Sequence, residues 1–175
     1  MAAEKDQLLT KVLGVGKVPG RSHDLEVQDA DANYVLFLGC QANDLVLPIT
    51  IGEPEAISID MALNGIKAQR PITHDLVVNL IDKLQYEIER VTIDCLIDAV
   101  YTATIHLRSL SSGKDVKIDA RPSDSVAIAL RAGCQIYVDK SLKDQMVPRT
   151  SLKLPESWSK NSDKDDEEID SPYGV

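Results

Sequence analysis

The sequence contains few aromatic residues and few cysteines. Its 175 residues include one Trp, one Phe and five Tyr. A core must therefore be built mainly from Ile, Val, Leu and Ala, and a hydrophobic content of 43% is sufficient for one. The three cysteines, Cys40, Cys95 and Cys134, lie far apart and form no CxxC pair. This pattern argues against a disulfide framework and a structural zinc site, so we interpret all three as small apolar core residues.

Long apolar runs and an excess of basic residues are also lacking. No stretch approaches the roughly 20 apolar residues of a membrane-spanning helix. The first residues lack the basic start and apolar centre of a signal peptide, so we expect a soluble, cytoplasmic protein without membrane contact. The net charge of −9 is unusual for a sequence-independent nucleic-acid binder, whose affinity comes largely from Lys and Arg. A nucleic-acid role therefore requires a local positive site.

The chain length predicts a single domain with short flanking segments. Residues 1–9 read as a polar lead-in and residues 10–147 as a compact domain. Residues 148–175 read as a polar, acidic tail, because residues 156–175 contain seven carboxylates and only two lysines. Such a composition predicts disorder.

Hydrophobic periodicity predicts an α+β fold, with a mixed, mostly antiparallel sheet and three to four helices. Strands are predicted at residues 11–18, 34–38, 45–51, 87–94, 99–109, 116–121 and 135–138. Helices are predicted at residues 53–64, 73–84 and 123–132, with a short one at residues 141–146. In the second helix, apolar residues recur at helical spacing and predict a core-facing stripe: Leu76, Val77, Leu80, Ile81 and Leu84.

Charged and hydroxyl residues gather where the helices are predicted to begin. Ser123 is predicted to cap the third helix, with Asp124 in its first turn, where a carboxylate complements the helix dipole. Thr73 is predicted to cap the second helix in the same way. Gly133 is predicted to end the third helix in a left-handed conformation.

Five segments in this order resemble the bifunctional nuclease domain: residues 47–56, residues 70–76, the pair Tyr101 and Ala103, residues 119–124 and residues 136–138. The resemblance covers roughly residues 10–147. It implies a compact α+β domain, often a homo-oligomer, that degrades both DNA and RNA with little sequence preference.

The resemblance also directs attention to candidate catalytic residues for a phosphodiesterase. Such an enzyme must bind phosphate, activate a nucleophile and stabilise the leaving oxygen. Arg70 and Arg121 can hold phosphate bidentately, and Thr73 and Ser123 add hydroxyl groups. His74 is the candidate general acid or base. Four carboxylates are candidate catalytic groups and possible ligands for Mg²⁺ or Mn²⁺: Glu55, Asp75, Asp119 and Asp124.

A structural interpretation stands beside each of these roles. Asp124 can be explained as a helix-cap or ion-pair group alone. Asp119 can pair with Arg121, two residues along the strand, or each of them can pair with a neighbour. The same helix starts can also bind an anion, a nucleotide or a protein in a non-enzymatic regulatory module. Geometry separates these alternatives, because the enzyme hypothesis predicts that the two Arg-Pro helix starts face a common groove.

Overall fold

The computed structural model describes residues 6–18 and 33–155. The predicted disorder of the acidic tail beyond residue 155 lies outside the described residues. Eight strands form one sheet in the order β6-β5-β4-β7-β1-β2-β3-β8. Their bounds are β1 Gln7–Val18, β2 Asn33–Cys40, β3 Leu45–Ile51, β4 Tyr86–Ile97, β5 Val100–Ser109, β6 Asp115–Ala120, β7 Gln135–Asp139 and β8 Val147–Pro148.

The sheet is mixed, because β4 and β7 run parallel while the other neighbouring pairs are antiparallel. The three α-helices in the described part of the chain are α1 Glu53–Leu63, α2 Thr73–Lys83 and α3 Pro122–Ala132. Short 3₁₀ turns follow at Lys140–Gln145 and Arg149–Ser151. The predicted α+β class, the mixed sheet and the helix number are confirmed.

The three helices pack on one face of the sheet, and α3 contacts both α1 and α2. Alternation along the strands sends one set of side chains toward these helices. In β5 the core-facing residues are Ala103, Ile105 and Leu107, which join Ile59 of α1 and Val126 of α3 in the main core. The residues between them in β5 therefore lie on the opposite face of the sheet, which we call the open face.

A smaller apolar cluster lies on the open face of the other half of the sheet. Leu13, Phe37 and Val46 are buried there beneath Leu152 and Leu154. Residues just after β8 therefore pack against the domain, although the sequence placed them in a polar tail. The first strand likewise begins at Gln7, earlier than the predicted residue 11.

The helix starts differ from the sequence prediction by one or two residues. Ile72 and Arg121 occupy the N-cap positions, so Thr73 and Ser123 lie inside their helices. The predicted capping role of both hydroxyl residues is therefore wrong. Pro122 suits the first helical position because that residue needs no N–H donor. Gly133 ends α3 with φ 69°, as predicted.

The predicted apolar stripe of α2 divides between the core and the surface. Ile81 is buried and Val77 packs partly against the core. Leu76, Leu80 and Leu84, however, are 61%, 55% and 60% exposed. The prediction that the whole stripe faces the core is therefore wrong.

The three cysteines are free thiols of intermediate burial. Cys40 and Cys134 pack against the main core. Cys95 lies within hydrogen-bond distance of Thr102, with 3.1 Å between the sulfur and the hydroxyl oxygen. The predicted apolar role is thus confirmed for two of them, and Cys95 has a polar neighbour.

Candidate active site

Three carboxylates occupy equivalent positions at the starts of the three helices. Glu55, Asp75 and Asp124 are each the third residue of their helix. At this position a negative charge compensates the partial positive charge of the helix N-terminus. Strand β3 leads into α1 through Gly52, and β6 leads into α3 through Arg121. The ends of β3 and β6 thus place Glu55 and Asp124 close together, while α2 follows α1 directly along the chain.

His74 joins helices α1 and α3. Its Nδ1 lies 2.8 Å from the Ser58 hydroxyl oxygen, and its Nε2 lies 3.1 Å from Asp124 Oδ1. An ionised carboxylate only accepts hydrogen bonds, so Nε2 donates to Asp124; in the neutral imidazole, Nδ1 then accepts from the Ser58 hydroxyl. Both ring nitrogens are therefore engaged, and the side chain is only 12% exposed.

Arg121 bridges the carboxylates of two helices. Its Nε donates to Asp124 Oδ2 at 2.8 Å, and its Nη2 donates to Glu55 Oε1 at 2.9 Å and to Asp124 Oδ1 at 3.2 Å. In spite of these bonds, the side chain is 67% exposed. An exposed guanidinium of this kind can exchange its partners without unfolding its surroundings.

The ionisation of Asp124 depends on these two neighbours. Burial alone raises the pKa of its carboxyl group, but hydrogen bonds from Arg121 and His74 outweigh burial and hold that pKa below its ordinary value. Asp124 is therefore an anion at neutral pH.

Asp75 belongs to a second ion pair on the other side of His74. Arg131 donates through Nε to Asp75 Oδ1 and through Nη2 to the Ser58 carbonyl oxygen at 3.2 Å. Burial raises the pKa of Asp75, while the bonds from Arg131 and the Ile72 amide lower it more strongly. Asp75 is thus turned toward Arg131, and its placement indicates support of the helix packing.

Ser58 and Arg131 were not predicted from the sequence. Ser58 lies three residues after Glu55 in α1, and Arg131 lies seven residues after Asp124 in α3. These spacings place each residue on the same helix face as its carboxylate. Helical spacing from the first-turn acids is therefore the signal that could have found them.

Asp119 does not join the other candidates. It pairs in register with Thr104 of β5, so its side chain lies on the open face, away from the helices. Arg121 turns toward Asp124 and Glu55. Of the two alternatives for Asp119 and Arg121, a mutual pair is therefore absent, and Arg121 pairs with neighbouring carboxylates instead.

Of the remaining predicted residues, Arg70 and Thr73 lie at the surface, whereas Ser123 lines a groove described below. Arg70 is exposed in the segment between α1 and α2, and its guanidinium forms no ion pair with the described residues. Thr73 is also exposed. The structure thus places Arg121, but not Arg70, beside the other candidate residues, so the two Arg-Pro helix starts do not face a common groove.

A groove of about 540 Å³ opens beside Arg121. It lies between β3, the tip of the β4–β5 hairpin and the start of α3. Its polar and aromatic lining comes from Thr50, Tyr101, Arg121 and Ser123. Burial raises the pKa of the Tyr101 phenol, so this hydroxyl stays protonated at neutral pH. Arg121 thus belongs both to the groove lining and to the hydrogen-bond network around His74. We call this set the His74 network, and its members are Glu55, Ser58, His74, Arg121 and Asp124.

The carboxylates near Arg121 allow only a sparse metal site. Within residues 6–18 and 33–155, no group of three or more His, Cys, Asp or Glu side chains is arranged to hold a metal ion. Glu55 and Asp124 do converge on one nitrogen of Arg121. Mg²⁺ is commonly held by one or two carboxylates with substrate oxygens and water. These two carboxylates provide oxygens of that type, but the Arg121 guanidinium occupies the position between them.

Comparison with known protein families matches the part of the chain that contains this network. A profile of the bifunctional nuclease domain matches residues 36–149, which include every residue of the His74 network. The chain belongs to the bifunctional nuclease domain family. None of the helices in the described segments is long and apolar enough to cross a membrane.

Relatives of this family include plant and bacterial proteins. An uncharacterized protein of Mycobacterium tuberculosis is 38% identical over 121 residues, covering 69% of this chain and 71% of that protein. Bifunctional nuclease 2 of Arabidopsis thaliana is 31% identical over 99 residues, covering 56% of this chain and 30% of the plant protein. Bifunctional nuclease 1 of Oryza sativa subsp. indica is 25% identical over 120 residues, covering 67% of this chain and 36% of the rice protein. The chain therefore spans about a third of these plant relatives' length.

Proposed function

We propose that this domain hydrolyses phosphodiester bonds in DNA and RNA, with little sequence preference, in the groove beside Arg121. The observation that carries the proposal is the exposed Arg121 guanidinium, which faces the groove and also holds Glu55 and Asp124. The plant relatives named bifunctional nucleases support the same reaction class.

Arg121 is proposed to bind the phosphate next to the scissile bond. A guanidinium matches phosphate oxygens in a bidentate arrangement as well as it matches a carboxylate. A phosphate entering the groove would compete with Asp124 and Glu55 for the same donors. Arg121 would then move part of its hydrogen bonding from the carboxylates to the substrate.

Asp124 is proposed to accept the proton of the attacking water as the bond between phosphorus and the leaving oxygen breaks, and to pass this proton to the leaving oxygen. Its pKa is low because hydrogen bonds from Arg121 and His74 outweigh the effect of burial. When Arg121 turns to the phosphate, Asp124 loses part of the hydrogen bonding that lowers its pKa, and that pKa rises. A higher pKa makes the carboxylate a better general base at neutral pH.

His74 is proposed to orient Asp124 without itself exchanging a proton with substrate. Both ring nitrogens are hydrogen bonded, to Ser58 and to Asp124, and little of the side chain is exposed. This role differs from the acid or base role expected from the sequence. Ser58 is buried within α1, so its hydroxyl orients the imidazole and is not placed to act as a nucleophile.

Glu55 is the residue proposed to hold Mg²⁺ or Mn²⁺ once Arg121 has turned to the phosphate, and Asp124 then remains free to act as the base. A divalent ion bound to Glu55 would neutralise charge on the phosphate and lower the pKa of a bound water. Asp75 and Asp119 are excluded as ligands by their positions, because one faces Arg131 and the other lies on the open face.

The proposal is tested by nuclease assay of wild type, Asp124→Asn and Asp144→Asn on labelled single-stranded DNA and RNA. Asp144 is an exposed acid of the 3₁₀ turn outside the groove, so it controls for charge. We expect Asp124→Asn to lower kcat/KM at least about a hundredfold, as loss of a general base does. Asp144→Asn should stay within about twofold of wild type. Equal activity in all three proteins would show that Asp124 is not catalytic.

A non-enzymatic anion-binding module is the second candidate function. It is favoured by the pairing of His74 and Arg121 with Asp124, which engages all three groups in the protein's own contacts. This alternative predicts oligonucleotide binding that Arg121→Gln weakens, without turnover by wild-type protein at any divalent ion concentration.

The homo-oligomer expected for this family is proposed to form through the exposed side of α2. Leu76, Leu80 and Leu84 follow one another at four-residue spacing, so they form one outward apolar stripe. Light scattering should show an oligomer for wild type and for Asn79→Glu, an exposed neighbouring control. Leu80→Glu should give a monomer, and an unchanged mass in Leu80→Glu would contradict this interface.

A further inference from the structure

A second cavity, of about 430 Å³, lies on the open face of the sheet. Strands β4, β5, β6 and β7 form its floor, on the side of the sheet away from the His74 network. Its basic and uncharged polar side chains come from Arg90, His106, Arg108, Lys117, Gln135 and Tyr137, and Glu89 and Asp115 add two carboxylates. The cavity therefore concentrates basic and hydrogen-bonding groups in an acidic protein.

One of the three cations in the cavity is already neutralised. Arg108 Nε lies 3.0 Å from Glu89 Oε1 and 3.3 Å from Asp115 Oδ1. These two carboxylates also line the cavity. Arg108 therefore contributes little net positive charge.

The other two cations, Arg90 and Lys117, have no carboxylate of their own. Within the described part of the chain, neither side chain forms an ion pair. The Nε of Arg90 is buried and has no hydrogen-bond acceptor there. A buried charged donor without a partner is unfavourable, and most such groups in folded proteins have one. Arg90 thus lines the cavity as a cation that no carboxylate of the described residues neutralises.

His106 shows that this positive charge acts inside the cavity. Its side chain is 8% exposed, and Nε2 lies 3.0 Å from the Thr92 hydroxyl oxygen. Burial, Arg90 and Lys117 together lower the pKa of His106 to about 4, against a weaker opposing effect of Asp115. His106 is therefore neutral at pH 7 and leaves the two cations as the source of charge.

Three further acidic residues, Asp94, Asp119 and Asp139, lie outside this cavity. Asp94 accepts a hydrogen bond from Thr104 at 2.7 Å. Burial and the charges of Asp139 and Asp119 raise its pKa, against the hydrogen bond from Thr104 and the charge of Lys117, which lower it. None of these three acids lines the cavity. The open face thus carries an acidic region around Asp94 and a separate basic cavity around Arg90.

We propose that this cavity binds the terminal 5′-phosphate of a nucleotide, held by Arg90 and Lys117. The Arg90 guanidinium and the Lys117 ammonium line the cavity, and neither forms an ion pair within the described residues. Tyr137 and Gln135, joined by a 2.6 Å hydrogen bond, flank the space left for the nucleoside. The volume is within the range typical of small-ligand sites. A free nucleotide and the 5′ end of a strand carry the same group.

Calorimetry on the full chain tests the site with adenosine 5′-monophosphate, adenosine and inorganic phosphate. We expect the monophosphate to bind at least about tenfold more tightly than adenosine, with phosphate also binding. Arg90→Gln and Lys117→Gln should each weaken monophosphate binding about tenfold, whereas Lys114→Gln, in the exposed turn before β6, should not. Equal binding of adenosine, binding of phosphate but not the monophosphate, or unchanged affinity in both cavity variants would refute the site.

Two further measurements complete this test. Lys117 is exposed, so Lys117→Gln keeps the test valid even where a melting curve shows that Arg90→Gln is unfolded.

Competition by a 5′-phosphorylated tetranucleotide, measured in Asp124→Asn protein to prevent cleavage, distinguishes a strand end from a free nucleotide as the ligand. Displacement of the monophosphate identifies strand ends as a ligand, and its absence restricts the site to free nucleotides. Failure of monophosphate binding in a protein that still cleaves nucleic acid would leave the proposed nuclease site standing.

Discussion

The two faces of the sheet use similar side chains in opposite electrostatic settings. On the helix face, His74 bonds to a hydroxyl of Ser58, and Arg121 holds two carboxylates. On the open face, His106 bonds to a hydroxyl of Thr92, and Arg108 holds two carboxylates. Each arrangement adjoins a cavity.

The difference lies in what else surrounds each histidine. Asp124 lies beside His74, whereas Arg90 and Lys117 act on His106. The helix face therefore keeps an anion that can accept a proton, and the open face keeps cations that can bind an anion. A histidine with a hydroxyl partner is thus not by itself a sign of catalysis, because the neighbouring charges decide its role.

The largest expected effect is a difference in nuclease activity between variants of His74 and His106. His74→Gln should lower nuclease kcat/KM at least about a hundredfold, because Asp124 loses the donor that orients it. His106→Gln should leave it within about twofold, since His106 lies across the sheet from the groove. The assay uses both variants after matched purification, with melting curves to confirm folding. Equal losses in the two variants would remove the functional distinction between the faces.

The next effect separates the buried ion pair of the helix face from the exposed pair of the open face. Arg131→Met should lower the free energy of unfolding by about 3 kcal/mol, because it leaves Asp75 and the Ser58 carbonyl without their donor. Arg108→Gln should lower it by less than about 1 kcal/mol, since Arg108 is 51% exposed. Urea unfolding measures both values. A similar change in the two variants would contradict the ranking.

The smallest effect concerns the pH dependence of stability. The pKa of His106 is about 4 in the folded protein, and about 6.5 is usual for an unfolded chain. Neutral His106 therefore stabilises the fold fully above about pH 6.5, and this contribution is lost as the pH falls toward 4. At pH 5 we expect this loss to be about 2 kcal/mol.

His106→Gln removes the titrating group and should flatten this part of the curve. The measurement is urea unfolding of wild type and His106→Gln at pH 7, 6 and 5, taken as the difference between the two proteins. A constant difference over this range would show that His106 keeps an ordinary pKa in the fold.

Local patterns in the sequence predict much of this fold. The alternation in β5, the hairpin of β2 and β3 and the left-handed Gly133 are all visible in the chain and present in the structure. Such features depend on neighbouring residues, so sequence periodicity records them. The short strand β8 was missed, because two residues carry no periodic signal.

Site residues were harder to predict because their partners are distant in sequence. His74 contacts Ser58 and Asp124, which are 16 and 50 residues away. Asp119 has the same local features as Asp124, but strand alternation turns it to the opposite face. The exposed leucines of α2 show the same limit, since helical spacing does not reveal which side of an apolar stripe meets the sheet.

Arg121 and Arg108 offer the most direct test of the central claim. Both are exposed arginines that bridge two carboxylates, but only Arg121 lines the groove beside Asp124. Steady-state cleavage of DNA and RNA is compared for Arg121→Gln, Arg108→Gln and wild type. We predict that kcat/KM falls about a hundredfold in Arg121→Gln and stays within about twofold of wild type in Arg108→Gln. Wild-type activity in Arg121→Gln would contradict the assignment of this groove as the phosphodiesterase site.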